Sequence, residues 1–244
     1  MRNIKLTLEY DGAEFFGFQK QKGKRTVQSE LEKAFKRLFR REIKIASASG
    51  RTDSGVHAKG QVVHLKVDSK IPLKKIQQAL NTYLHDDLAV VRIAEMPPDF
   101  HARFWAKSKT YQYIVWNSRI RPVLEKKFTY HYPKQIRIPL MKEAAKCLIG
   151  KHDFRSFQAK ADGRNSIRTI YHFDIRKRGY KVHFVIEANG FLYNMVRNII
   201  GTLLRVGEGQ ISVKEFKEIV ARRSRDHIGH TVPPQGLTLL QVKY

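Results

Sequence analysis

The densest group of chemically capable side chains lies in one short stretch, Ser49-Gly50-Arg51-Thr52-Asp53-Ser54-Gly55-Val56-His57-Ala58. Gly50 and Gly55 permit a tight backbone, and Arg51 places a permanent cation two residues from the carboxylate of Asp53. Such a loop either holds Asp53 at a fixed point for chemistry or uses it in an Asx-type turn bonded to its own backbone. The surroundings bear on that choice. Most other carboxylates stand among lysines and arginines, whereas Asp53 occupies an almost uncharged stretch that runs on to the apolar pair Val62-Val63. A partly buried Asp stays ionised only beside a cation, because desolvation raises its pKa and a nearby guanidinium lowers it. Arg51 or Arg197 can supply that cation. Arg197 interrupts an apolar run of Met195, Val196, Ile199 and Ile200, where a buried guanidinium without a carboxylate is costly.

Charge indicates the partner. Lys plus Arg number 47 against 22 Asp plus Glu, a formal net charge of +25, and this favours a polyanion, nucleic acid ahead of an anionic membrane. No apolar run is long enough to read as a membrane span, and residues 1–10 alternate instead of forming a signal-peptide core. Lys20, Lys22, Lys24 and Arg25 read as one basic, mobile loop for phosphate contact, and Arg222, Arg223 and Arg225 as another. The single Cys147 excludes an internal disulfide, fits a reducing cytoplasm and reads as a small buried hydrophobe on a helix face. The ten histidines do not gather at ligand spacing with Cys or carboxylates, so no metal is expected. His57 and His64 read as structural or RNA-contacting groups.

The elements that must position these residues follow from periodicity. Residues 3–10 alternate as a strand with Ile4, Leu6, Leu8 and Tyr10 on one face. A helix from Val27, capped by Thr26, carries Val27, Leu31, Ala34, Phe35 and Leu38. Strand segments 43–49 and 61–67 flank the polar loop 50–60. Pro72 opens a helix with Ile76, Ala79, Leu80 and Tyr83, and residues 88–95 form a closing strand. The second half repeats this order: strand 110–116, helix 140–148, strands 169–176 and 181–188 turning at Gly179, helix 191–206, an additional helix 213–222, and strand 237–244. The pattern predicts an α+β chain of two ferredoxin-like (split βαβ) halves, residues 1–106 and 107–244, with a mixed, mainly antiparallel sheet and a central cleft. Residues 96–108 are the expected crossing.

Gly50 to Ala58 resembles the signature loop of the tRNA pseudouridine synthase A family, in which that Asp is the essential catalytic residue. The likeness runs through the chain. Tyr10-Asp11-Gly12 with Phe15-Phe16-Gly17-Phe18-Gln19 is similar to the family's opening motif, although Phe18 stands where many members have Trp. Phe100-His101-Ala102-Arg103-Phe104 and Lys109-Thr110-Tyr111-Gln112-Tyr113 resemble its central motif, with Gln112 in place of a commonly basic residue. His152-Asp153-Phe154, Ser156-Phe157, Gly190-Phe191-Leu192-Tyr193-Asn194-Met195-Val196-Arg197-Asn198 and Pro233-Pro234-Gln235-Gly236-Leu237 match as well; Val232 departs from a frequent Ala.

The resemblance implies the pseudouridine synthase fold and a cofactor-independent isomerisation of uridine in the anticodon stem-loop of tRNA. Asp53 would act as nucleophile or base, with Arg197 as its ion-pair partner and Arg51 helping to flip or hold the displaced nucleotide. Tyr111 would stack on the target base, with His57 and Asn198 also on the substrate side. It further implies a cytoplasmic homodimer that cradles tRNA by shape. Two other classes remain compatible with the residues alone: a noncatalytic RNA-binding protein, and a metal-dependent RNA hydrolase.

Overall fold

Alternation in the first residues becomes β1 (Arg2–Tyr10), whose Ile4, Leu6, Leu8 and Tyr10 are all buried. The computed structural model describes residues 1–159, 165–222, 224 and 228–244. Contacts group the chain into two compact units, Met1–Lys107 with Thr238–Tyr244, and Ser108–Leu237. Both mix helices and strands, so the α+β class expected from the sequence holds.

In the first unit β1 is followed by α1 (Val27–Phe39), β2 (Ser47–Ala48), β3 (His57–Val67), α2 (Leu73–Tyr83) and β4 (Leu88–Met96). The strands lie in the order β4-β1-β3-β10, where β10 is Leu237–Lys243, and β2 pairs with β3. β1 runs antiparallel to both neighbours, Leu6 standing opposite Val63 on one side and Ile93 on the other. α1 starts where Thr26 accepts a hydrogen bond from Ser29 N and the Ser29 side chain answers to the Thr26 backbone, a reciprocal cap worth about 1 kcal/mol. Its Val27, Leu31, Ala34 and Phe35 are buried; each large side chain contributes about 1.5–3 kcal/mol.

Two details of the middle region differ from the sequence expectation. Residues 43–46 are not strand, because Glu32 reaches out of α1 and takes the Ile45 N–H at 3.3 Å. β3 begins four residues earlier than its apolar pattern does, at His57. The extra residues are strand because both flanks are occupied: Ala58 pairs with Tyr10 on one side, and His57 and Ala58 pair in parallel with Thr238 and Leu239 of β10 on the other. Gly60 allows this approach, since a Cβ there would sit 2.5 Å from Leu240 O.

The second unit comprises β5 (Ser108–Trp116), β6 (Tyr130–His131), α3 (Ile138–Ala145), β7 (Gly150–Asp153), β8 (Ile167–Arg178), β9 (Lys181–Ala188), α4 (Met195–Glu208) and α5 (Val213–Arg222). Its strands are ordered β5-β9-β8-β7, with β6 beside β5. β8 and β9 form a hairpin turning at Gly179, φ +56°. α4 is buried along most of its length, from Met195 through Val206, and α5 adds Phe216 and Ile219. Cys147 lies in a 3-10 turn after α3, half-buried, and burial pushes its thiol pKa up.

α4 starts one turn later than the apolar pattern implies. Asn194 adopts the left-handed conformation, φ 58°, which breaks the helix before Met195; Asn tolerates that region better than other side chains. None of the described helices is long and apolar enough to cross a membrane.

Candidate active site

The segment before β3 carries Asp53, which is half-buried, and its neighbours are fastened to the first unit on both sides. On one side Tyr10 OH shares a 2.8 Å hydrogen bond with Thr52 Oγ1, and Phe18 N donates to Thr52 O at 3.0 Å. On the other, Ser54 Oγ and Gly55 N donate to Phe15 O at 3.2 and 3.3 Å. Val56 N closes the turn onto Asp53 O at 3.2 Å. Below it, Gln61 accepts from Ser49 Oγ at 2.7 Å and donates to Gly50 O at 3.0 Å. Burial pushes the Tyr10 phenol up to about 12, so it stays neutral as a strut.

The Asp11–Phe18 segment forms the cradle. Gly12 and Gly17 are there because backbone meets backbone. A Cβ on Gly12 would lie 2.0 Å from Val56 O, and one on Gly17, φ +80°, would lie 2.9 Å from Thr52 O and 3.3 Å from the Asp53 carbonyl carbon. His57, 2% exposed, locks the cradle from β3: its Nδ1 accepts Gly12 N–H at 2.9 Å and lies 3.1 Å from Asp11 Oδ1. Asp11 itself caps Ala13 N at 3.0 Å.

The basic loop is less available than its composition implies. Arg25 forms a two-pronged pair with Asp87 at 2.6 and 2.8 Å and lies 4.2 Å over the Phe15 ring. That pair raises the Arg25 pKa and lowers that of Asp87. Lys20 bonds Glu32 at 2.9 Å. These contacts leave Lys22 and Lys24 as its exposed lysines outside the ion pairs formed among the described residues. Arg51, beside Asp53 in sequence, is exposed. In the other basic cluster Arg222 pairs with Glu218 at 2.9 Å; Arg223 and Arg225 lie outside the described residues.

Within the second unit, Arg197 stands in the first turn of α4. A cation there opposes the helix dipole, so it needs partners of its own. Its Nε donates to Val232 O at 2.7 Å and its Nη1 to Asn194 Oδ1 at 2.9 Å. The second contact gives the left-handed Asn194 a purpose that no sequence pattern reveals. Val232 is brought close by a row of small residues: a Cβ on Gly201 would lie 2.0 Å from His230 O, Thr202 Oγ1 accepts from Gly229 N at 3.0 Å, and Thr231 Oγ1 donates to Asn198 Oδ1 at 2.6 Å. Asn198, 0% exposed, also donates to Phe157 O at 2.7 Å.

Tyr111, 8% exposed, faces Ile186 of β9 in register and meets the Phe191 ring edge-to-face at 5.1 Å. Its neighbour Tyr113 donates to Pro233 O at 2.8 Å, and burial raises its pKa. His64 is buried in the first unit, where Nδ1 accepts Ala102 N–H at 3.2 Å and the ring lies 4.9 Å from that of His101. No group of three or more His, Cys, Asp or Glu placed to hold a metal occurs among the described residues.

Comparison with known proteins places these features in one family. A family model described as tRNA pseudouridine synthase matches residues 7–105 and 144–244. Those stretches include the Asp53 loop, its cradle and the Arg197 turn; Tyr111 falls between them. The chain is 45% identical to tRNA pseudouridine synthase A 2 of Clostridium perfringens, with all of both chains covered. It is 44% identical to tRNA pseudouridine synthase A of Anoxybacillus flavithermus, over all of this chain and 99% of the relative. It is 42% identical to tRNA pseudouridine synthase A of Caldicellulosiruptor bescii, again with both covered throughout.

Proposed function

The chain belongs to the tRNA pseudouridine synthase family, and from that membership we propose that Asp53 is the carboxylate that acts on the sugar of an extruded uridine. The enzyme isomerises uridine to pseudouridine in tRNA. In that reaction uracil leaves the ribose, turns, and rejoins it through carbon. No atom is gained or lost, so the chemistry calls on no external group donor. What the protein must supply is a positioned carboxylate and a way of taking the nucleotide out of its stack.

One observation carries the assignment of Asp53. Thr52, Ser54 and Gly55 are each hydrogen-bonded into the fold and Val56 N closes the turn onto Asp53 O, so the carboxylate sits on a loop with little freedom to relax. Preorganisation of this kind is what a group acting in the transition state requires. The same backbone bonds run through residues on either side of Asp53, which an isolated Asx turn does not need.

The remaining roles are part of the same proposal. Arg197 acts as the counter-charge of the catalytic carboxylate, a role the family resemblance gives it, and Val232 and Asn194 support it by orienting its guanidinium. Exposed Arg51 meets the displaced nucleotide. Tyr111 offers a ring to the target base, its edge contact with Phe191 fixing the ring plane. His57 and Asn198 are buried with polar atoms engaged inside their own units, and they serve the substrate by holding the cradle and the Arg197 turn. The target uridines lie in the anticodon stem-loop, and the enzyme works as a cytoplasmic homodimer.

Asp53→Ala tests the assignment. The variant is expected to bind tRNA as the wild type does and to form no pseudouridine in an unmodified transcript. Wild-type activity in that variant would reject Asp53 as the catalytic group.

A further inference from the structure

Three aromatic residues in Phe15-Phe16-Gly17-Phe18 are placed differently. Phe15 and Phe18 are buried, whereas Phe16 is 47% exposed. A single exposed aromatic ring is common on protein surfaces. This one is set apart by how it is held and by what stands over it. Phe16 N donates to Arg25 O at 2.9 Å, and its carbonyl accepts from Gln21 Nε2 at 2.7 Å. On one side, Phe15 O takes the two hydrogen bonds from Ser54 and Gly55. On the other, Gly17 O accepts from Val27 N at 3.2 Å. The ring is therefore presented to solvent from a fixed backbone that is hydrogen-bonded to the loop carrying Asp53. The turn Gln21–Lys24, closed by Lys24 N to Gln21 O at 3.3 Å, brings Lys24 Nζ to 4.4 Å from the ring centroid.

We propose that Phe16 and Lys24 form a nucleotide subsite beside the catalytic loop, the ring stacking on an unpaired base next to the extruded uridine and the ammonium taking a backbone phosphate. A flipped nucleotide leaves its neighbours unstacked, and those neighbours need a surface to cover them. A rigid aromatic ring provides it for any base on the face away from Lys24, and the cation held over the ring matches the phosphate that follows. Charge complementarity fits one occupant, an RNA strand: Lys20 and Arg25 are neutralised by Glu32 and Asp87, which among the described residues leaves the charge of this loop on Lys22 and on Lys24, the latter over the ring. The subsite rests on the functional reading above.

Phe16 is half exposed and lies outside the buried core, so its replacement tests binding with little risk to folding. Phe16→Leu keeps an apolar side chain and removes the stacking face, and Phe16→Trp retains that face. With an unmodified tRNA transcript, Phe16→Leu is expected to raise Kd and KM about tenfold with kcat changed less than about twofold, and Phe16→Trp to stay near wild type. Lys24→Gln is expected to lower the slope of log affinity against log salt by about one. Wild-type Kd and KM in Phe16→Leu, or an equal defect in Phe16→Trp, would overturn the subsite while leaving pseudouridine formation intact. A Phe16-dependent Kd together with wild-type activity in Asp53→Ala would instead overturn the assignment of Asp53 and uphold the subsite.

Discussion

Gly12→Ala is the sharpest probe of the way the Asp53 loop is held. Real side chains almost never bring Cβ within 3.0 Å of a non-bonded heavy atom, and here the new methyl would start 2.0 Å from Val56 O. Val56 or the Gly12 backbone has to retreat by about 1 Å, and overpacking of this kind costs about 1–3 kcal/mol. Val56 N bonds Asp53 O, so the retreat is passed to the Asp53 carboxylate proposed to be catalytic. A misplacement near 1 Å costs roughly 100-fold in rate, equivalent to about 2.7 kcal/mol of activation free energy. Gly17→Ala is the graded companion: its methyl starts 2.9 Å from Thr52 O, so the displacement is a few tenths of an ångström, although φ +80° adds about 1–2 kcal/mol of backbone strain. The two variants should therefore lose comparable stability but unequal activity. The assay is kcat for pseudouridine formation at saturating tRNA, read beside tRNA Kd and a thermal melt. The expected result is a Tm lower by about 2–10 °C in both, an unchanged Kd, and a kcat that falls much further in Gly12→Ala. A kcat within about threefold of wild type in folded Gly12→Ala would show that loop position does not govern the carboxylate, and the reasoning would fail.

Other outcomes follow from the same geometry. Gly201→Ala drives a methyl into His230 O and should loosen the hold of Val232 on Arg197; a Tm loss and a fall in kcat are expected together, and a fall in neither would contradict the packing. Burial, with the nearby His101 charge, lowers the His64 pKa. The unfolded chain then takes up the proton first as pH falls below about 6.5, and the folded state loses stability until pH passes the folded pKa, below which the loss levels off. Urea denaturation across pH 5–8 should show this slope and His64→Gln should reduce it; identical slopes would refute the contribution. Thr26→Ala should cost about 1 kcal/mol in stability through the lost cap of α1, without altering kcat. A kcat loss at saturating tRNA would show that the cap also positions the site.

Elements stabilised by their own local pattern were readable in the sequence, and those decided by distant partners were not. β1 and α1 declare themselves by period, and Thr26 and Pro72 mark helix starts. The Asp53 loop stood out because its composition is unusual. Its fastening could not be read, since the Gly12–Val56 and Gly17–Thr52 approaches join residues far apart in the chain. His57 looked like a loop residue because strand 57–60 lacks alternation; only its two partners make it strand. Asn194 broke a continuous apolar run through a backbone conformation that hydrophobicity does not encode. The basic loop misled in the opposite direction, because Glu32 and Asp87, which neutralise Lys20 and Arg25, come from other elements.

The parallel pairing of β10 with the start of β3 has a consequence for biosynthesis. The whole second unit is translated between those two strands, so a nascent chain cannot seal the β10 side of His57 until that unit has been made. In topological terms the second unit is an insertion within the first, and the framework beneath the Asp53 loop is completed only after it. Non-local pairing of this kind is slow to form, and a half-made chain has no finished site with which to act on RNA.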